Sequence, residues 1–196
     1  PMFTPPPMDC DVPPIYVSGL GPGMARIAGE VADGLLLHPM CSPKYINDII
    51  LPAVIEGAKK SGRDPKKCEL LWGGFIATGE TEEDLNTAKR NVAARISFYA
   101  STRTYRPALD FHGWGDINEA LHKLSVEGKW EEMFALVTDD MVETLGFCGT
   151  GEEVANSLKN DLGPICSAAM WNEVEHLGTD HSKDEHVSHL IQIAKG

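Results

Sequence analysis

The sequence predicts a parallel α/β fold, either a small open doubly wound sheet or, as its opening favours, the second half of a (β/α)8 barrel, on three observations. Four short apolar runs alternate with helix-patterned segments, the order of βαβ units. The runs lack polar alternation, as in strands covered on both faces. The chain opens on a proline-rich stretch, residues 1–13, where an independent domain seldom begins.

The first unit sets the pattern. Ile15-Tyr16-Val17 is an apolar, β-branched run that enters the turn Ser18-Gly19-Leu20-Gly21-Pro22-Gly23. Met24, Ile27, Ala28 and Val31 then recur at helical spacing and predict one inward stripe. Ala32-Asp33-Gly34 ends that helix, and Leu35-Leu36-Leu37 starts a second strand. Glycines at a strand-to-helix turn let backbone approach a ligand, and the helix start offers N–H groups to an anion. The turn therefore reads either as a phosphate-binding cradle over Gly19–Met24 or as a tight turn without a ligand.

Ser42 caps the next helix, with Pro43 at its first position. The apolar spacing carries it from Pro43 to about Lys60, and Pro52 predicts a kink. Residues 70–77, LLWGGFIA, read as one buried strand. Thr81 and Asp84 form a weak capping box for a helix to about Ala100. Residues 101–149 break the rhythm and read as a helical insertion, with Asp116 capping one helix and Gly146 ending the last. Thr150 and Glu153 open a further helix, and Ile165–Trp171 read as the fourth strand. The polar tail, residues 173–196, carries a final helix near Asp184–Lys195. The barrel portion spans residues 14–172.

Composition narrows the function. The 196 residues carry a formal net charge of −12, which argues against nucleic acid or an anionic membrane as partner. No apolar run approaches the roughly 18 residues of a membrane span. Five scattered cysteines form no C-x-x-C pair, which suits a reducing, cytoplasmic setting. A zinc site on them is not expected, and the pair His186 and His189 reads as part of a solvated tail.

Other chemistry-bearing residues have plain alternatives. His38 ends a strand and reads either as a ligand contact or as a structural histidine. His112, beside Trp114, reads as packing. Trp72 and Trp171 read as core, and Arg103 and Arg106 as surface. No Ser/His/Asp or Cys/His arrangement has supporting context, and no catalytic residue is assigned.

The run PPIYVSGLGPGMARIAGEVADGLLLHP resembles the C-terminal half of the luciferase-like monooxygenase superfamily, and within it the coenzyme F420-dependent oxidoreductases. YINDIILPAVIEG, GRDP, FIATGE, FYASTRTY with Arg106-Pro107, and FHGWGD follow in the family's order. The resemblance covers residues 13–172. It implies a TIM barrel of luciferase-like type, with this chain holding strands five to eight and the insertion before the last strand. It implies F420 as cofactor, with FMN as alternative. The implied cofactor contacts are Ser18, Gly19, Leu20, Gly21, Pro22, Gly23 and Met24, then His38 and Pro39. The implied reaction is hydride transfer to or from a small organic substrate, with the substrate-side residues in the missing strands. Two rivals stand beside it: an FMN-dependent monooxygenase, and a non-catalytic half-barrel. The half-barrel would pair with another chain, as a homo-oligomer or with a missing N-terminal half.

Overall fold

The computed structural model describes residues 10–170, 188 and 191–193. Trp171, His186 and His189 lie outside the described residues, and of the expected tail helix only Ser188 and residues 191–193 are described, all of them helical.

Strand β1 (Tyr16–Gly19) runs through the glycine turn into α1 (Pro22–Val31), and β2 (Gly34–Leu37) returns parallel to it. Ser42 accepts the Tyr45 N–H at 3.0 Å and caps α2 (Pro43–Tyr45). The chain continues through a π turn, Ile46–Ile50, into α3 (Leu51–Lys60). The π turn lies just before Pro52. Proline removes an intrahelical donor and crowds the carbonyl four residues back, and a widened turn accommodates both. Strand β3 (Glu69–Trp72) then pairs with β2, also parallel.

The expected single strand over residues 70–77 is a correction. It is two strands, β3 and β4 (Phe75–Thr78), and they belong to different sheets. Gly73-Gly74 makes the break. A Cβ on Gly74 would sit 2.0 Å from the Trp72 ring, so the backbone folds over that indole.

Helix α4 (Glu82–Ala100) starts on the Thr81 cap, whose Oγ1 accepts the Asp84 N–H at 3.1 Å. A 3-10 turn (Arg103–Tyr105) leads to α5 (Arg106–Phe111), α6 (Gly115–Val126), α7 (Trp130–Phe134) and α8 (Asp139–Leu145). The cap of α6 is Trp114, without a side-chain bond, and Asp116 lies inside the first turn rather than capping it. Asn118 does different work. It is fully buried on α6 and donates to the carbonyls of Ala100 (2.6 Å) and Thr102 (3.2 Å), closing the end of α4. Asn118→Ala strands both acceptors, and the expected cost is about 1–3 kcal/mol, read from urea unfolding.

After α8 comes β5 (Gly146–Gly149), a strand the sequence pattern does not announce. It pairs parallel with β4. Thr150 and Glu153 form a full capping box for α9 (Gly151–Ser157), and a second π turn, Leu158–Leu162, follows. Strand β6 is only Ala168–Ala169. The larger sheet has the order β1-β2-β3-β6, leaving β1 and β6 at its edges.

The core lies between this sheet and its helices, with Leu35, Leu37, Trp72, Ile46, Ile50 and Phe75 fully or nearly fully buried. The inward stripe of α1 differs from expectation. Ala25, Ala28 and Gly29 are buried, whereas Met24, Ile27 and Val31 are 38%, 47% and 71% exposed. The small residues face inward because α1 crosses α3 at backbone contact, where only small side chains fit.

Candidate functional site

The C-terminal ends of β1 and β2 bring the two predicted contact segments together. Gly19 and Leu37 are register partners, and the next amide, His38, donates to the Gly19 carbonyl at 3.2 Å. The turn between β1 and α1 therefore lies beside His38-Pro39.

Each residue of the turn has a distinct setting. Ser18 is exposed, and the Leu20 side chain is buried, so Leu20 offers only backbone to the outside. Gly19 is required by the protein itself: a Cβ there would meet Met24 Cβ at 2.5 Å. Gly21 and Gly23 are not. A Cβ at either meets nothing within 4 Å, and neither has positive φ. Pro22 begins the helix. Gly21 at the N-cap supplies no side-chain bond, and the first turn holds no acidic residue. The Gly23 and Met24 amides thus lack the side-chain cap that most helix starts carry. The arrangement is an open, backbone-lined turn at a positive helix end, suited to a phosphate.

His38 closes one side. Its Nδ1 accepts the Met40 N–H at 3.2 Å, and its carbonyl accepts the Cys41 N–H at 2.9 Å. Tyr105 lies against the ring at 4.4 Å and Tyr99 meets it edge-on at 4.8 Å. Burial among these groups pushes the imidazole down from 6.5 to about 4. The ring is neutral at pH 7. An unfolded histidine titrates near 6.5, so this stabilisation is complete above that pH and is lost as pH falls towards 4. Proton NMR should show His38 titrating below pH 5, and the urea midpoint should fall between pH 6.5 and 4.

A second polar contact anchors the same loop. Ser42 is buried, and its Oγ lies 3.0 Å from His112 Nε2. His112 stacks on Trp114 at 4.7 Å. Burial, then the Lys44 ammonium, lower its basicity. The insertion is thereby tied to the β2–α2 loop. Ser42 Oγ also accepts the Tyr45 N–H and is buried, so the pair caps α2 and ties the loop. The thiols nearby are inert: burial pushes Cys41 and Cys166 up to about 12. Arg106 pairs with Glu119 at 3.0 Å and with Asp110, on the surface. Trp72 packs edge-on against Phe147 at 5.2 Å in the core.

A shallow hollow of about 280 Å³ lies at the opposite ends of the strands, lined by Val12, Pro14, Tyr16, Asp33, Lys67 and Glu69. It is separate from the glycine turn. Among the described residues no group of three or more His, Cys, Asp or Glu side chains is placed to hold a metal. No helix among them is long and apolar enough to cross a membrane.

The luciferase-like monooxygenase family model matches residues 1–162. The chain belongs to that family. The match includes residues 1–13, the expected connector. An uncharacterized protein of Mycobacterium tuberculosis H37Rv is 39% identical over 160 residues, covering 82% of this chain and 47% of that protein. The 5,10-methylenetetrahydromethanopterin reductase of Methanolobus tindarius is 30% identical over 141 residues, 71% of this chain and 42% of the reductase. The chain spans about half the length of the curated relatives it matches. Among solved structures, the coenzyme F420-dependent tetrahydromethanopterin reductase of Methanopyrus kandleri superposes with a TM-score of 0.66 at 23% identity. That overlap covers 80% of this chain and 44% of the reductase. The α/β fold of this luciferase-like chain is thus that of the F420-dependent barrel enzymes.

Tyr99 and Tyr105 are the site residues that sequence reasoning missed. Both stand in the run FYASTRTY, but nothing in their spacing ties them to His38, more than sixty positions earlier.

Proposed function

We propose that this chain supplies the cofactor-tail-binding half of an F420-dependent oxidoreductase. That enzyme would move a hydride between the deazaflavin and a small organic substrate. The observation that carries the reading is the uncapped start of α1, where Gly21 and Gly23 leave open the space a side chain would fill. Nothing in the protein asks for glycine there, whereas a ligand pressed against the backbone does. Reductases among the family relatives support the same reading.

In this reading the cofactor supplies the hydride chemistry, and the chain holds it. The backbone of Ser18–Met24 receives the phosphate-bearing tail, with the Gly23 and Met24 amides as donors. His38-Pro39 borders the cofactor on the β2 side, and Tyr99 and Tyr105 keep water from that edge. The strands correspond to the fifth to eighth of a barrel. The position of β1 at the sheet edge among the described residues and the exposed Met24, Ile27 and Val31 support this, since a preceding βα unit would cover both. Association with such a half, or with a second copy, goes with the reading, as does a cytoplasmic setting.

Fluorescence titration of the 196-residue chain with F420 and with FMN tests the reading. Saturable binding of F420, tighter than FMN, is expected. Preference for FMN would favour the monooxygenase reading, and binding of neither would favour the non-catalytic half-barrel.

A further inference from the structure

We infer that His38 is a fixed hydrogen-bond donor to an acceptor oxygen of the bound cofactor, and that Tyr99 and Tyr105 are the positioning residues that hold it. The inference rests on the proposed cofactor site and assigns the atom that reads it. Histidine has two ring nitrogens, and the bond made by one decides the role of the other. Here Nδ1 accepts the Met40 N–H at 3.2 Å. A nitrogen that accepts carries no proton, so in the neutral ring the proton sits on Nε2. That N–H has no protein acceptor among the described residues. It is also not sealed inside. Among the described residues the buried polar side-chain atoms without a partner include Trp72 Nε1 and Asn118 Oδ1, and His38 Nε2 is not among them. A half-buried donor that is accessible, oriented and unused is what a ligand site requires.

The aromatic walls explain why the ring keeps this state. Tyr99 comes from α4 and Tyr105 from the following 3-10 turn. Tyr99 also packs on Phe75 (6.1 Å), Phe98 (5.7 Å) and Tyr105 (6.2 Å). The cluster fixes the ring plane from two directions. The titratable groups facing the ring are these two phenols. No carboxylate or ammonium contributes to its shift, which comes from burial alone. Protonation would place a second N–H against the Met40 N–H and break the turn's own bond. His38 is therefore a donor throughout the neutral range and not a general acid or base. The His38 amide donates to the Gly19 carbonyl, which sets the residue beside the open glycine turn.

The test reads the ring directly. Long-range proton–nitrogen correlation spectra of the free chain should show protonated Nε2 and bare Nδ1 from pH 5.5 to 8. Adding F420 should shift the Nε2–H signal and slow its exchange, with Nδ1 still bare. Tyr105→Leu should let the ring titrate nearer its ordinary value and weaken F420 binding about 5- to 10-fold, the worth of about one hydrogen bond. Tyr105→Phe keeps the ring wall and should preserve both properties. It also serves as the folded comparison if the leucine variant does not fold. F420 binding that leaves the His38 signals unmoved overturns this inference and leaves the cofactor reading standing. A protonated Nδ1 in the free chain overturns it as well. A folded chain that binds no F420 overturns the cofactor reading, and the ligand assigned to His38 falls with it.

Discussion

Gly57→Val is expected to destabilise the protein by about 3 kcal/mol or more. The reason is a backbone-to-backbone crossing. A Cβ at Gly57 would sit 1.9 Å from the Arg26 carbonyl oxygen and 2.8 Å from its carbon. Across the same contact, a Cβ at Gly29 would meet the Val54 carbonyl oxygen at 2.0 Å. Helices α1 and α3 thus touch through two glycines, one from each side, and neither helix has a flexible side chain to move away. Relief requires the helices to separate. Separation would loosen the buried contacts of Ala25, Ala28, Ala53, Val54 and Ala58. It would also stretch the bond from Arg63 Nη1 to the Gly29 carbonyl (3.2 Å). The exposed pairs Arg26–Glu56 and Lys60–Glu30 span the same crossing but contribute little in water. Urea unfolding, with the midpoint and slope compared to the parent chain, measures the effect. A loss below about 1 kcal/mol would show that the crossing relaxes without repacking.

The same crossing shows what the sequence could and could not reveal. Helix α1 was legible as a helix, because its period and its bounding turns are local features. Its inward face was not. Hydrophobicity pointed to Met24, Ile27 and Val31, but close approach of α3 selected alanine and glycine instead. The helix caps at Ser42, Thr81 and Thr150 were also legible, since a cap is decided within four residues. Strand β5 was hidden because two of its four residues are glycine and none is β-branched. Its strand character comes from pairing with β4, some seventy positions earlier. The break at Gly73-Gly74 was hidden because an apolar run looks the same whether or not an indole lies beneath it. The candidate site divides likewise. The glycine turn and His38-Pro39 could be named from the sequence, because each follows a recognisable strand. Their contact through the His38 amide, and the tyrosine walls, depend on the register of β1 with β2 and on where α4 ends.

Gly23→Val is expected to leave the free protein as stable as the parent, or nearly so, and to weaken F420 binding by about 10-fold or more, some 1.4 kcal/mol. The two halves of this expectation come from different observations. A Cβ at Gly23 meets nothing within 4 Å, and the residue lies in the first turn of α1 without positive φ. The folded protein therefore has room for the side chain, and surface substitutions of this kind fall within about 0.5 kcal/mol. Glycine also loses more backbone freedom on folding than any other residue, so Gly23→Ala should raise stability by up to about 1 kcal/mol. Gly21→Ala also meets open space at its Cβ position, but alanine is disfavoured at an N-cap, so no gain in stability is expected there. Gly19 is the contrast within the same turn. Its Cβ would strike Met24 at 2.5 Å, so Gly19→Val is expected to lose stability and binding together. Urea unfolding and F420 fluorescence titration on the three variants separate the cases. If Gly21 and Gly23 serve only to make the turn, their variants bind F420 as the parent does. If they make room for the cofactor tail, binding falls while the unfolding midpoint holds or rises. A turn that serves folding alone has no means of producing that second pattern, because the folded chain places no atom where the new side chains would go.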